Sequence, residues 1–289
     1  MTLIEPRTVG VLLVAALLAA PGAGPLTTVP FAWTPGQIEV AVTVNDAPAT
    51  FLLDTGSEYS IVSTRLATEL GMARDRQGSR EFADDVDLSV RSVDLQHQRV
   101  MVMPFESYYQ RGRSIDGLLG YDLFSRFVVR IDFKGKSLTI WQPSAFRPPK
   151  AAAEVPLEFA GRLPVVSSVV RLAGGQALNA RLMVDTGASQ AVILRYPFAS
   201  DHGLFDLGGG ESTAPSLASG TRRLKEIPVE QIAVAKWTFD RPQVFAYAEP
   251  VGSGAYTDTD GLIGNTLLSR FTLYVDYPRK RLLFEPLKR

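Results

Sequence analysis

No cysteine occurs in this 289-residue chain, so disulfides, thiolate nucleophiles and cysteine-based metal sites are excluded. Histidine is nearly as scarce. His97 and His202 stand far apart, which leaves little material for a His-rich metal site or a Ser-His triad. Thirty basic residues balance thirty acidic ones without a Lys/Arg-rich block, so the electrostatic footprint of a nucleic-acid-binding protein is missing. Nothing implies a metal or a cofactor. What remains is a globular composition, 46% hydrophobic with 24 Gly and 19 Pro, rich in turns and long enough for two modest cores or one large one.

Residues 1–24 read as a signal peptide. Arg7 gives a weakly positive start, partly cancelled by Glu5, and Val9 to Ala20 is apolar except for Gly10. Small residues follow at Ala20, Gly22, Ala23 and Gly24. The run is shorter than the about 20 residues a membrane span needs and suits a secretory signal; the alternative is an uncleaved anchor. The folded part is expected outside the cytoplasm, periplasmic or secreted, with no stable membrane span after cleavage.

The chain repeats itself. Asp54-Thr55-Gly56 and Asp185-Thr186-Gly187 lie 131 positions apart, preceded by Phe51-Leu52-Leu53 and Leu182-Met183-Val184. Asp116-Gly-Leu-Leu-Gly120 and Asp260-Gly-Leu-Ile-Gly264 lie 144 apart. Beyond them Leu123, Ser125, Arg126, Phe127, Asp132, Lys136 and Leu138 recur as Leu267, Ser269, Arg270, Phe271, Asp276, Lys280 and Leu282. The second unit is therefore longer by 13 residues between triplet and glycine motif.

Local patterns are mostly β. Ile38 to Val44 alternates apolar and polar residues and meets the turn signal Asn45-Asp46. Phe127 to Trp141 predicts two strands around Lys134-Gly135, and Phe271 to Phe284 repeats this around Pro278. Val86 to Val102 and Val229 to Val234 are further strand-like runs. Ser63 to Leu70 is the best short helix, capped by Ser63 and stopped by Gly71. Gln142 to Pro156, rich in Pro and Ala, reads as a linker. The expected organisation is an all-β protein with a signal at 1–24, one lobe over 30–143, a linker at 144–155 and a second lobe over 156–289.

Two carboxylates sharing one proton can hydrolyse a peptide without metal, histidine or thiol. The ionised one accepts a proton from water and the neutral one polarises the carbonyl. Asp54 and Asp185 are the candidate dyad. Gly56 and Gly187 let the backbone pass close to the carboxylates, and the hydroxyls of Thr55 and Thr186 can bond across the axis to the opposite lobe. Ser57 can donate to Asp54 where Ala188 offers nothing to Asp185, which predicts that Asp54 holds the charge and Asp185 the proton. Asp116 and Asp260 read as turn residues, Asp132 and Asp276 as turn-associated, and Arg126 and Arg270 as partners for nearby carboxylates. Trp33, Trp141 and Trp237 read as core or lobe-edge residues.

On these motifs the chain resembles the retropepsin-like aspartic proteases, in particular the bacterial group with two such units in one polypeptide. Asp54-Thr-Gly-Ser57 and Asp185-Thr-Gly-Ala188 match the catalytic signature, and Leu118-Leu119-Gly120 and Leu262-Ile263-Gly264 match the motif that threads behind the catalytic loop. Leu123 and Leu267 match the leucine after it. The resemblance spans about residues 36–143 and 156–287. It implies two pseudo-twofold-related retropepsin/pepsin-like β-barrel lobes with few short helices and a cleft between them, covered by hairpins, that binds an extended peptide. Retroviral members carry an ion pair whose places here hold Glu58 and Ser189, and Tyr121 and Asn265, so the lobe interface has to be built differently. Gly208, Gly209 and Gly210 read as a flap tip or an ordinary surface loop, and the first lobe has only Gly78 in that stretch.

The expected function is an aspartic endopeptidase, a monomeric pseudo-dimer acting on a peptide or protein substrate. A catalytically silent peptide-binding or scaffold protein on the same fold is the alternative, and a self-processing maturation factor a third reading.

Overall fold

Asn45 and Asp46 both take left-handed backbone, φ 47° and 66°, the requirement of a tight two-residue hairpin turn. They join strands Gln37–Val44 and Ala47–Leu53, whose inward side chains form much of the first lobe's core. The computed structural model describes residues 24–34, 36–105, 115–216, 220–250, 252 and 258–287. The expected signal at Val9 to Ala20 lies outside them. Among the described residues no helix is long and apolar enough to cross a membrane.

Eight strands make the first lobe's sheet. It closes on itself because Gln37–Val44 also pairs with Arg80–Val90 through Thr43 and Ser89. The second lobe repeats the plan in a ten-stranded sheet, with two interruptions. Where the first lobe runs a continuous hairpin, Arg80–Val90 and Val93–Met103, the second has four strands, Gly220–Ile227, Val229–Val234, Trp237–Asp240 and Val244–Tyr247. Pro228 and Pro242 stand at the breaks, where a missing N–H ends the ladder. The longer second unit is used in part for a longer hairpin, Glu211–Ser216 with Gly220–Ile227, against Asp75–Gln77 with the start of Arg80–Val90 in the first.

The two closing hairpins meet in one six-stranded sheet. Val128–Asp132 pairs antiparallel with Phe271–Asp276, Val129 opposite Val275 and Asp132 opposite Thr272, so the halves share a hydrogen-bonded seam. Thr27–Pro30 and Ala153–Pro156 close its two edges. The segment expected as a linker therefore carries an ordered strand, and the first repeat begins before residue 30. Val155 is buried and Arg281 reaches Glu154, which holds an edge strand that Pro/Ala content alone does not advertise.

The short helix Thr64–Glu69 follows its signals: the Ser63 hydroxyl accepts from the Leu66 amide at 3.1 Å, and Gly71 leaves it at φ 63°.

Candidate active site

Each triplet leaves the end of a strand that lies parallel to the strand of the glycine motif behind it. Leu53 is in register with Leu119, and Val184 with Ile263. The Asp54 amide donates to the Leu119 carbonyl at 3.0 Å and the Asp185 amide to the Ile263 carbonyl at 2.9 Å. Gly120 and Gly264 follow, where the backbone of the catalytic loop crosses: a Cβ on Gly120 would stand 2.5 Å from the Tyr59 carbonyl oxygen, and one on Gly264 2.4 Å from that of Gln190.

Across the pseudo-twofold axis the threonines bond reciprocally. The Thr55 amide donates to the Thr186 hydroxyl and the Thr186 amide to the Thr55 hydroxyl, both at 3.0 Å. The hydroxyls donate onward to the opposite strands, Thr55 to the Val184 carbonyl at 2.7 Å and Thr186 to the Leu53 carbonyl at 2.9 Å. Both threonines are buried, so every polar atom of this lattice has a partner where an orphan would be expensive.

The carboxyl groups of Asp54 and Asp185 are in hydrogen-bonding contact at the floor of the cleft, partly open to it and otherwise enclosed by protein. A Cβ on Gly56 would lie 2.7 Å from the Asp185 carboxyl carbon, and one on Gly187 2.6 Å from that of Asp54, so only glycine fits above each acid. Burial raises both pKa values. Asp54 rises further: the charge on Asp185 adds to burial, against one opposing bond from the Gly56 amide. Asp185 is held back by amides of Gly187 at 2.8 Å and Ala188 at 3.1 Å, by the bond from Asp54 and by the positive Arg195. The donors around the pair, two amides on Asp185 against one on Asp54, therefore favour the charge on Asp185 and the proton on Asp54.

This reverses the expectation drawn from Ser57. Its hydroxyl donates to the Tyr59 carbonyl at 2.7 Å, turned away from Asp54, while Ala188 contributes through its main chain, which no side-chain comparison reveals. Tyr277, buried below the dyad, donates to the Thr55 carbonyl at 3.2 Å. Burial and the two aspartates raise its own pKa and keep it a neutral donor. Its counterpart in the first repeat is Phe133, a difference visible at the 144-residue offset.

The lobe interface replaces the viral ion pair with other contacts. Asn265 is fully buried and its amide donates to the Gly36 carbonyl at 2.7 Å and the Thr186 carbonyl at 2.6 Å. Arg162 of the second lobe donates to the Glu58 carbonyl at 3.2 Å and lies over the rings of Tyr59 and Tyr121, at 4.6 and 5.0 Å.

The cleft has a volume of about 930 Å³ and a hairpin on each side. Gly78, at φ 62°, turns the first. Gly208, Gly209 and Gly210 sit at the base of the second, where Gly210 accepts from the Glu226 amide and a Cβ on Gly209 would strike the Glu226 carbonyl. They are not its tip: both strands of the hairpin, Glu211–Ser216 and Gly220–Ile227, follow them in the chain.

The remaining acids are structural in their contacts. Asp116 accepts from the Thr50 amide and Asp260 from the Arg181 amide, at 2.8 and 2.7 Å. Asp132 closes its turn through the Gly135 amide, and buried Asp276 pairs with Arg279 and Arg281. Arg126 and Arg270 pair with no carboxylate among the described residues: Arg126 donates to Gln98 and Arg270 lies over Phe239. Trp33 meets Phe133 edge-on, and Trp141 and Trp237 pack at a tilt against Phe146 and Phe271. No cluster of three or more His, Asp or Glu among the described residues is disposed to hold a metal ion.

Comparison with known proteins agrees with this geometry. Residues 40–123 match the family model described as aspartyl protease. No curated protein matches the sequence. Among solved structures, the aspartic proteinase from Irpex lacteus superposes with a TM-score of 0.56 at 13% identity, covering 91% of this chain and 97% of that one. The chain thus has the bilobal β fold seen in an aspartic proteinase, and over residues 40–123 its sequence is similar to the aspartyl protease family.

Proposed function

We propose that this protein is an aspartic endopeptidase in which water is activated between Asp54 and Asp185. The observation that carries the reading is the contact of two carboxyl groups, one from each lobe, at the floor of a cleft large enough for an extended peptide. Ionised Asp185 takes a proton from water as its oxygen attacks the carbonyl carbon, while Asp54 gives its proton to the carbonyl oxygen. Collapse of the tetrahedral adduct returns that proton to Asp54 and passes the one on Asp185 to the leaving amine. No covalent bond to the protein forms.

Thr55 and Thr186 brace the acids, and Gly56 and Gly187 leave room for them. We place the mature enzyme outside the cytoplasm as a monomer, on the signal-like amino terminus and on two catalytic units in one chain. Cleavage of a random decapeptide library, read by mass spectrometry, tests the reading. Asp54→Asn and Asp185→Asn should each lose about 10²–10⁴-fold in kcat. Absence of cleavage by the wild type across a broad pH range would overturn it.

A further inference from the structure

Arg195 occupies a position where the duplicated unit has a serine. The Ser63 and Arg195 amides donate to the carbonyls of Asp116 and Asp260, at 2.7 and 2.8 Å, and each residue precedes a six-residue helix. Ser63 caps its helix with its hydroxyl, whereas Arg195 makes no capping bond. Arginine is a poor residue for that position, and a guanidinium is costly to bury. Yet Arg195 is 2% exposed, the largest fully buried side chain among the described residues. It lies over the Tyr247 ring at 5.6 Å and forms part of the second lobe's cleft wall with Met183, Ile193 and Leu262.

The facing wall differs. Around the matching first-lobe position the cleft is lined by Ile61, Met101, Met103 and Leu118, an apolar surface; the first lobe's cations in the cleft, Arg76 and Arg80, stand out on its hairpin, where Arg80 faces Glu58 at 3.8 Å. The second wall adds another positive group. Arg222, carried by the longer hairpin, lines the same cleft, and its Nε is buried without a hydrogen-bond partner. Asp258 stands exposed in the same wall, where water screens its charge.

We propose that the second-lobe side of the cleft binds an acidic side chain of the substrate, a Glu or Asp flanking the scissile bond, through Arg195 with Arg222, while the first-lobe side takes an apolar residue. This deepens the peptidase reading and rests on it. Charge-assisted bonds from a partly desolvated guanidinium discriminate carboxylate from amide by roughly 10- to 100-fold.

The test is a selectivity ratio, kcat/KM for a peptide with Glu at that position over its Gln counterpart, the peptides taken from the cleaved members of the decapeptide library. The wild-type ratio should be about 10–100. Arg195→Gln should bring it to about 1, Arg195→Lys should restore part of it, and Arg222→Gln, at a less buried position, should lower it about threefold or more. A wild-type ratio near one, or a ratio that Arg195→Gln leaves unchanged while the pH profile moves, overturns the proposal and leaves Arg195 acting on Asp185 alone. If the wild type cleaves nothing, the peptidase reading fails. The pocket is then decided by fluorescence-polarisation binding of the fixed-Glu and fixed-Gln library pools to Asp54→Asn, equal affinity counting against it.

Discussion

Asp54 and Asp185 belong to the same three-residue motif, yet their surroundings differ: two amides reach Asp185 and one reaches Asp54. Burial and the negative Asp185 lift Asp54 well above the ordinary carboxylate value of 3.8. A buried acid with a raised pKa binds more protons in the folded than in the unfolded state between those two values. Its contribution to stability is therefore full at low pH and is lost as pH rises through the folded value. Asp54→Asn should raise Tm at neutral pH and flatten the dependence of Tm on pH above about pH 4; thermal melts of the two proteins check this. The acidic limb of kcat/KM reports ionisation of the base in the free enzyme. Ser57→Ala should leave that limb in place, since its hydroxyl is bound to the Tyr59 carbonyl. Arg195→Gln should move it upward, because a positive charge favouring the Asp185 anion is removed.

At the level of elements, the site depends on strands whose ends are fixed by something other than their own propensity. Four threonine bonds tie the two catalytic loops to each other's strands. Thr55→Ala deletes the donor to Val184 and strands the Thr186 amide, so it should destabilise the protein by about 1–3 kcal/mol. Thr55→Ser should recover most of that loss, as measured by urea unfolding. The strand before each Asp, the Asn45-Asp46 turn, the capped helix after Ser63 and both closing hairpins were readable from sequence, since each depends on neighbours within a few residues. The edge strand Ala153–Pro156 was not. Its partner Arg281–Pro286 lies far along the chain, and local composition argues for a linker. The glycine run at 208–210 misled for a similar reason: glycine signals an unusual backbone, which a hairpin's base can need as much as its tip.

Taken whole, the molecule is two copies of one unit joined by hydrogen bonds and a common apolar core rather than by a tether. The pairing of Val128–Asp132 with Phe271–Asp276 makes each half an edge for the other. The full chain should unfold in one cooperative transition. A fragment of residues 24–145 would expose that edge strand, an open invitation to pair. It should run as a dimer or larger species in sedimentation velocity, and a stable monomer would contradict the shared-sheet argument.

Motif spacing and internal duplication carried the fold class and the identity of the two acids, because a repeated motif at repeated offsets constrains topology even where local propensities are weak. The division of labour between those acids was not encoded at that level. It arises from which amide and which cation reach each carboxylate: Ala188 through its main chain, Arg195 from the far end of another strand, and a serine hydroxyl that points elsewhere. Electrostatic effects fall with distance in space, not along the chain, so folding had to bring those groups together before proton and charge could be assigned.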